Sequence, residues 1–139
     1  MKLKIYIMHS DKINYKEEIY KPLLEEGLLN DVYLILPLSK KYEASYIKEL
    51  LSDSDIIICD LTKNNFFLKA EIKMATKLKK DIYYFVNTND KNKKQYNNII
   101  EYEDRKDFIS KVRILINSLN KKEILLKRDN IFCLGKVQK

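Results

Sequence analysis

The sequence predicts a three-layer α/β domain built on a mainly parallel sheet of four or five strands. Short apolar runs alternate with longer amphipathic stretches, which is the pattern of parallel strands joined by crossover helices. The run Ile56–Cys59 is apolar at every position, as is typical of a strand buried on both faces of a parallel sheet. A chain of 139 residues with 45% hydrophobic content suffices for one domain with its own core.

The chain opens with a strand and a helix. Leu3–Met8 is the first predicted strand, and apolar residues recur at helical spacing over Asn14–Glu26. Pro22 predicts a kink or an early break in this helix because proline lacks a backbone N–H. Gly27 suits the end of the helix.

The middle of the chain predicts two strands and two helices. Val32–Leu36 is the second strand, which Pro37 ends, and a helix over Ala44–Ser52 leads to the third strand, Ile56–Cys59. The next helix, Phe67–Lys79, has a clear apolar side and an opposite side rich in lysine.

The last third predicts one more strand, a short fifth strand and a strong final helix. Ile82–Val86 is the fourth strand, and the polar segment Asn87–Asn98 is expected to be a loop or flap. Ile99–Tyr102 follows as a short strand, and apolar residues at helical spacing mark a helix over 108–119. We assign residues 1–120 to the α/β domain.

Residues 121–139 form a basic tail that the pattern leaves open. Its two short apolar segments, 124–126 and 131–134, would allow an edge strand, pairing with another subunit or docking on a partner.

Composition limits the classes of function. A formal net charge of +7 can attract anionic partners, but it comes from lysines spread over every segment, so nucleic-acid binding is not favoured. Cys59 and Cys133 form no metal-ligand spacing and no disulfide framework, which favours a reducing compartment. We expect a cytoplasmic protein because no segment has the uninterrupted apolar length of a transmembrane helix.

The most informative residue is Glu71, an acid on the apolar side of the helix after the third strand. At 100° per residue it shares that side with Leu68, Ile72 and Ala75, so its carboxylate should point toward the sheet. An acid in that place must find donors, raise its pKa or line a ligand cavity, because an unpaired buried charge is costly. The alternative is that Glu71 only stabilises its helix start or binds a nearby lysine.

Further candidates lie where the first and third strands end. Parallel sheets bind ligands beyond the carboxyl ends of their strands, near the point where strand order reverses. We expect Glu71 to reach the same crevice. The candidate substrate contacts are Tyr6, His9, Ser10, Asp60 and Asn64. Asp60 has the alternative of capping its loop, and Tyr6 that of being a core residue.

Several other chemistries are excluded or disfavoured. Gly27 and Gly135 are the only glycines, so neither a GxGxxG fingerprint nor a P-loop is present. A single histidine without clustered acids or thiolates disfavours a metal site, and no cofactor is implied.

Three segments together resemble the nucleoside 2-deoxyribosyltransferase-like superfamily. They are Ser54–Leu61, Ala70–Ala75 and Lys80–Ile82, and the opening Lys4–Ser10 is similar to the first strand and ligand loop of that family. The resemblance implies a Rossmann-like, flavodoxin-like fold and action at the N-glycosidic bond of a nucleoside or nucleotide. It places Glu71 at the glutamate nucleophile and Tyr6 near the sugar, and it implies a possible homo-oligomer.

Two departures from that family support an alternative. An ungapped match puts Ile47 where the second catalytic carboxylate is expected, with Glu43 and Glu49 only nearby, and residues 65–69 are bulky where the family has small residues. These departures favour a non-catalytic nucleotide-sensing or protein-interaction module on the same fold. The segment Ile5–Lys12 with its following helix also resembles Toll/interleukin-receptor-type domains, some of which cleave the N-glycosidic bond of NAD with a glutamate.

Overall fold

The computed structural model describes residues 3–25, 32–35, 44–90 and 96–132. Five strands form one sheet: β1 Leu3–Met8, β2 Val32–Ile35, β3 Ile56–Asp60, β4 Ile82–Asn87 and β5 Ile99–Tyr102. A π-helical turn, Lys16–Tyr20, continues into α1, and the helices are α1 Lys21–Glu25, α2 Ala44–Asp53, α3 Phe66–Lys77 and α4 Arg105–Phe132.

All strand pairs of the sheet are parallel, in the order β2-β1-β3-β4-β5. This is the flavodoxin-like order, in which the direction of strand addition reverses between β1 and β3. The sheet therefore confirms the predicted three-layer α/β class, with five strands rather than four. The switch point lies where the carboxyl ends of β1 and β3 open onto the residues singled out in the sequence.

Helices cover the sheet on both faces. The core on one face includes Ile19 and Leu23 beside α1 and Phe108 and Val112 of α4. The core on the other face joins α2 and α3 to the sheet through buried residues that include Ile47, Leu51, Leu68 and Ala75. Every residue of β3 is buried, which confirms the double-faced burial predicted for this strand.

The first helix changes its hydrogen-bonding pattern just before Pro22, where a kink or an early break was predicted. The turn before it, Lys16–Tyr20, has π-helical hydrogen bonding, and the N–H of Lys21 bonds to the carbonyl of Lys16. Pro22 has no N–H to donate, so the helical hydrogen bond that an ordinary residue would make here is missing, and α1 begins only one residue earlier. The expected helix stop at Gly27 and strand end at Pro37 lie outside the described residues, as does the middle of the polar loop, residues 91–95.

The final helix is longer than predicted. It begins at Arg105 and runs to Phe132, so residues 124–126 are helical and do not form an edge strand. The reason is local, since lysines and apolar residues with high helix propensity follow Leu119 without a proline or glycine before residue 132. Residues 133–139 lie outside the described chain.

Candidate active site

Glu71 lies on the second turn of α3 with its side chain directed into the protein. The Asn65 side chain starts this helix by accepting the N–H of Leu68 at 3.1 Å, which fixes how the helix enters. Glu71 is only 4% exposed, and the Tyr6 hydroxyl of β1 donates to its Oε2 at 2.8 Å. The inward orientation expected from the helix periodicity is what the structure contains.

Burial controls the acidity of this carboxyl group. Desolvation raises the pKa of Glu71 from its ordinary 4.5 to about 7, against the hydrogen bond from Tyr6, which lowers it. A carboxyl group with such a pKa is present in both protonation states near neutral pH. It can then act as a nucleophile or as a general acid and base, which an ordinary surface glutamate does less well.

The two phenylalanines that begin α3 differ in exposure. Phe66 is 79% exposed, whereas Phe67 is 46% exposed and lies one helical turn before Glu71 on the same side of α3. On α2, Ile47 is a core residue at 3% exposure, and Glu49 is exposed. The position that the family resemblance assigns to a second carboxylate is therefore apolar and buried, whereas Glu43 lies outside the described residues.

Asp60 is held by a different set of neighbours. It is completely buried, and Arg105 Nη1 bonds to its Oδ2 at 2.8 Å. The backbone N–H and the hydroxyl of Thr62 donate to its Oδ1 at 3.1 and 2.8 Å, and the Tyr102 hydroxyl oxygen lies 3.3 Å from the same atom. Both carboxylate oxygens are therefore occupied by protein donors.

Arg105 joins three elements at this end of the sheet. Besides Asp60 of β3, its Nη2 donates to the hydroxyl of Thr62 at 2.8 Å, and its Nε lies 3.8 Å from Glu18 of the π-helical turn. The Thr62 hydroxyl also bonds to the Tyr102 hydroxyl. A cavity of about 520 Å³ opens beside this cluster, and its lining includes Glu18, Thr62, Tyr102 and Arg105.

His9 lies in an aromatic environment at the end of β1. Its ring stacks on Tyr15 with centroids 4.6 Å apart, and the Tyr20 ring meets it nearly edge-on at 6.1 Å. Burial lowers the pKa of His9, although the Ser10 carbonyl and the charge of Asp60 act in the opposite direction. Ser10 is buried as well, and its hydroxyl accepts the N–H of Lys12 at 3.0 Å, which shapes the turn after β1.

Asn64 follows β3 on the side of the sheet that carries α3. Its Nδ2 donates to the Tyr96 hydroxyl at 3.4 Å, and the Tyr96 ring lies over Tyr84 with centroids 4.5 Å apart. Its Oδ1 is buried and has no hydrogen-bond partner among the described residues. Such an orphaned acceptor is uncommon in folded proteins and is suited to an N–H or O–H group of a ligand or water.

The predicted site residues fall into two groups according to the face of the sheet to which they point. Tyr6 and Glu71 meet in the core below α2 and α3, whereas Asp60 and His9 point to the layer of α1 and α4. The side chains of Asp60 and Glu71 thus leave the sheet on opposite faces, and a crevice that both line stays a prediction. Alternate residues of a strand point to opposite faces, and Asp60 has the parity of Ile58 rather than of Cys59.

Three further residues of this region, Arg105, Tyr102 and Tyr20, were not among the predicted site residues. A usable signal existed for Arg105, because it is one of three arginines and begins a helix directly after a strand end. In the described part of the chain, no group of three or more histidine, cysteine, aspartate or glutamate side chains is placed to hold a metal ion. None of the described helices has the length and apolar character needed to cross a membrane.

Comparison with known proteins gives relationships of fold. No protein-family model and no curated protein matches the sequence. The structure is similar to the CMP N-glycosidase BcmB of Clostridium botulinum, which has a nucleoside 2-deoxyribosyltransferase-like fold, with a TM-score of 0.58 and 14% identity over 81% of this chain and 98% of that one. It is also similar to the TIR domains of the activated Roq1 resistosome that directly recognises the pathogen effector XopQ, with a TM-score of 0.51 and 9% identity over 94% and 77% of the two chains. The chain thus shares its fold with both groups that its sequence resembles, and both resemblances are confirmed at the level of the fold.

Proposed function

We propose that the protein cleaves or transfers the N-glycosidic bond of a nucleoside or nucleotide, with Glu71 as the catalytic carboxylate. The observation that carries this proposal is the buried pair of Glu71 and Tyr6, whose oxygens lie 2.8 Å apart on the α3 side of the sheet. The fold likeness to a CMP N-glycosidase supports the same class of bond.

In the proposed reaction the ionised carboxylate of Glu71 attacks C1′ of the sugar as a nucleophile. The bond between C1′ and the base nitrogen breaks, and its electron pair leaves with the base, which takes up a proton from water. A water molecule then attacks C1′ and releases the sugar, so that Glu71 regains its carboxylate and the water gives up a proton. If a second base replaces this water, the same intermediate leads to transfer.

The remaining residues take separate roles in this proposal. Tyr6 holds the Glu71 carboxylate in place and contacts the sugar, and the unpaired Oδ1 of Asn64 accepts a donor group of the substrate. In the proposed complex, His9 and Ser10 lie near a phosphate or hydroxyl group of the substrate. Asp60 was predicted to contact substrate, but protein donors occupy both of its oxygens, so we assign it to positioning through Arg105.

The test measures, by chromatography, the free base released from a panel of substrates. The panel contains nucleosides, 2′-deoxynucleosides, nucleoside monophosphates including CMP, and NAD. We expect turnover with at least one substrate class and its loss in Glu71→Gln, which keeps the shape of the side chain but removes the nucleophile. Glu49→Gln is the matched control because Glu49 is an exposed glutamate of the neighbouring helix. Turnover that persists in Glu71→Gln would rule out the assigned role.

A specific observation favours a second candidate, a non-catalytic nucleotide-sensing module. Ile47 occupies the position of the expected second carboxylate and is packed in the core, so no acid of the described α2 residues points toward Glu71. This candidate predicts that a nucleotide raises the melting temperature of the protein although no base is released from any member of the panel. The two measurements on the same samples separate the candidates.

A further inference from the structure

Helix α3 carries a row of lysines on the surface that faces away from the sheet. Lys69, Lys73 and Lys77 are all exposed and follow one another at intervals of four residues, so their ammonium groups lie on one side of the helix. The only acid of this helix, Glu71, is buried on the opposite side. Because like charges at this spacing destabilise a helix, the demands of folding do not account for the row.

An exposed aromatic ring lies at the end of the same row. Phe66 begins α3, and at 100° per residue it falls within the arc that Lys69 and Lys77 define. Its ring is 79% exposed and meets the Phe67 ring edge-on with centroids 6.1 Å apart. An exposed phenylalanine next to several lysines is the combination by which peripheral proteins contact anionic bilayers.

Lysines outnumber acids around this surface, although Asp11 lies close to Phe66 because it accepts a hydrogen bond from the side chain of Asn65. Lys48 and Glu49 of α2 are exposed and offset each other, and Lys79 is exposed just beyond α3. Asp53, at the end of α2, lies 3.6 Å from Lys4 and so is already paired. Within the described part of the chain, none of the three lysines of α3 forms an ion pair.

We propose that this lysine face, formed by Phe66, Lys69, Lys73 and Lys77, docks the protein on a membrane surface that contains anionic phospholipid. The lysines supply attraction to lipid phosphates, and the Phe66 ring enters the boundary between headgroups and acyl chains. The face is the convex outside of a helix, which can lie flat on a bilayer. Proteins that bind single-stranded nucleic acid instead enclose the strand in a positively charged groove. The proposal is independent of the enzymatic one.

The experiment is co-sedimentation of the full chain with phosphatidylcholine vesicles, with and without phosphatidylglycerol. We expect binding only to the anionic vesicles and a steep loss of binding with added salt. Lys69→Gln, Lys73→Gln and Lys77→Gln combined should weaken the partition coefficient about 100-fold, at about fivefold per lysine. Phe66→Ser should weaken it about tenfold or more, since a large apolar side chain no longer enters the interface.

A matched control removes the same amount of charge elsewhere. Lys16, Lys21 and Lys106 are exposed on the helical segments that cover the opposite face of the sheet, and replacing all three with glutamine should reduce binding far less than the α3 triple variant does. Equal losses in the two triple variants, or no binding of wild-type protein to anionic vesicles, would overturn the proposal. The proposal would also be overturned if the wild-type protein bound a single-stranded oligonucleotide more tightly than anionic vesicles at the same salt concentration and the α3 triple variant lost this binding. Circular dichroism and melting temperatures confirm that each variant is folded.

Discussion

Replacing Glu71 with glutamine should change the stability of the protein in a way that depends on pH. In the folded protein, burial raises the pKa of Glu71 to about 7, whereas the unfolded chain should have the ordinary value of 4.5. Between pH 4.5 and pH 7, Glu71 is therefore mostly protonated in the folded protein and mostly ionised in the unfolded chain. The contribution of Glu71 to the free energy of unfolding is therefore fully present below pH 4.5, and it is lost as the pH rises through 7.

The size of the effect follows from the same shift. At about 1.4 kcal/mol per pKa unit, a change from 4.5 to about 7 corresponds to about 3 kcal/mol of unfolding free energy. Glu71 is 4% exposed, so solvent screening reduces this figure little. Glutamine has nearly the same shape and no charge. Relative to wild type, Glu71→Gln should gain about 3 kcal/mol of stability between pH 4.5 and pH 8.

The assay is urea unfolding of both proteins at a series of pH values, with the midpoints and slopes compared at each pH. Contributions of other titrating groups, including His9, are common to both proteins and cancel in the difference. Glu49→Gln provides the control, because an exposed glutamate should leave the difference from wild type unchanged with pH. A flat difference for Glu71→Gln would refute the inward, desolvated placement of this carboxyl group, and the proposed function with it.

Two further predictions concern hydrogen bonds of the two groups. Tyr6→Phe removes a donor that lowers the pKa of Glu71, so the acid limb of the activity profile should move to higher pH than in wild type. Arg105→Met leaves the fully buried Asp60 carboxylate without its cation and should cost about 2 to 4 kcal/mol in urea unfolding, whereas Lys106→Met on the exposed next position should stay within about 0.5 kcal/mol of wild type. Equal effects of the two α4 variants would contradict the role given to Arg105.

Strand alternation and helix periodicity were enough to predict most of the fold. The apolar run of β3 and the 3.6-residue pattern of α3 are set by burial, which acts through residue type alone and is visible in one sequence. The same reasoning oriented Glu71 inward, as the structure has it. The length of α4 was underestimated because the prediction followed apolar spacing, whereas backbone hydrogen bonding continued through the lysine-rich segment to Phe132.

The arrangement of the site depended on information that local patterns do not contain. Arg105 is 45 residues from Asp60 in sequence, and Tyr6 is 65 residues from Glu71. Whether two such distant residues meet depends on the strand order and on the face of the sheet to which each side chain points. A shift of one residue at the end of β3 would have turned this acid to the face of the sheet that carries Tyr6, away from Arg105.

The separation of the two groups also limits what chemistry each can perform. Asp60 is neutralised by Arg105 and bonded at both oxygens, so an incoming ligand would first have to displace protein donors. Glu71 accepts a hydrogen bond from the neutral Tyr6 hydroxyl and has no cation within its described contacts. Its charged form is therefore stabilised less than that of Asp60. A carboxylate that is poorly stabilised in the free protein gains more from an electron-poor sugar carbon than one already paired with arginine. For this reason we assign the chemistry to Glu71 and the support of the fold to Asp60.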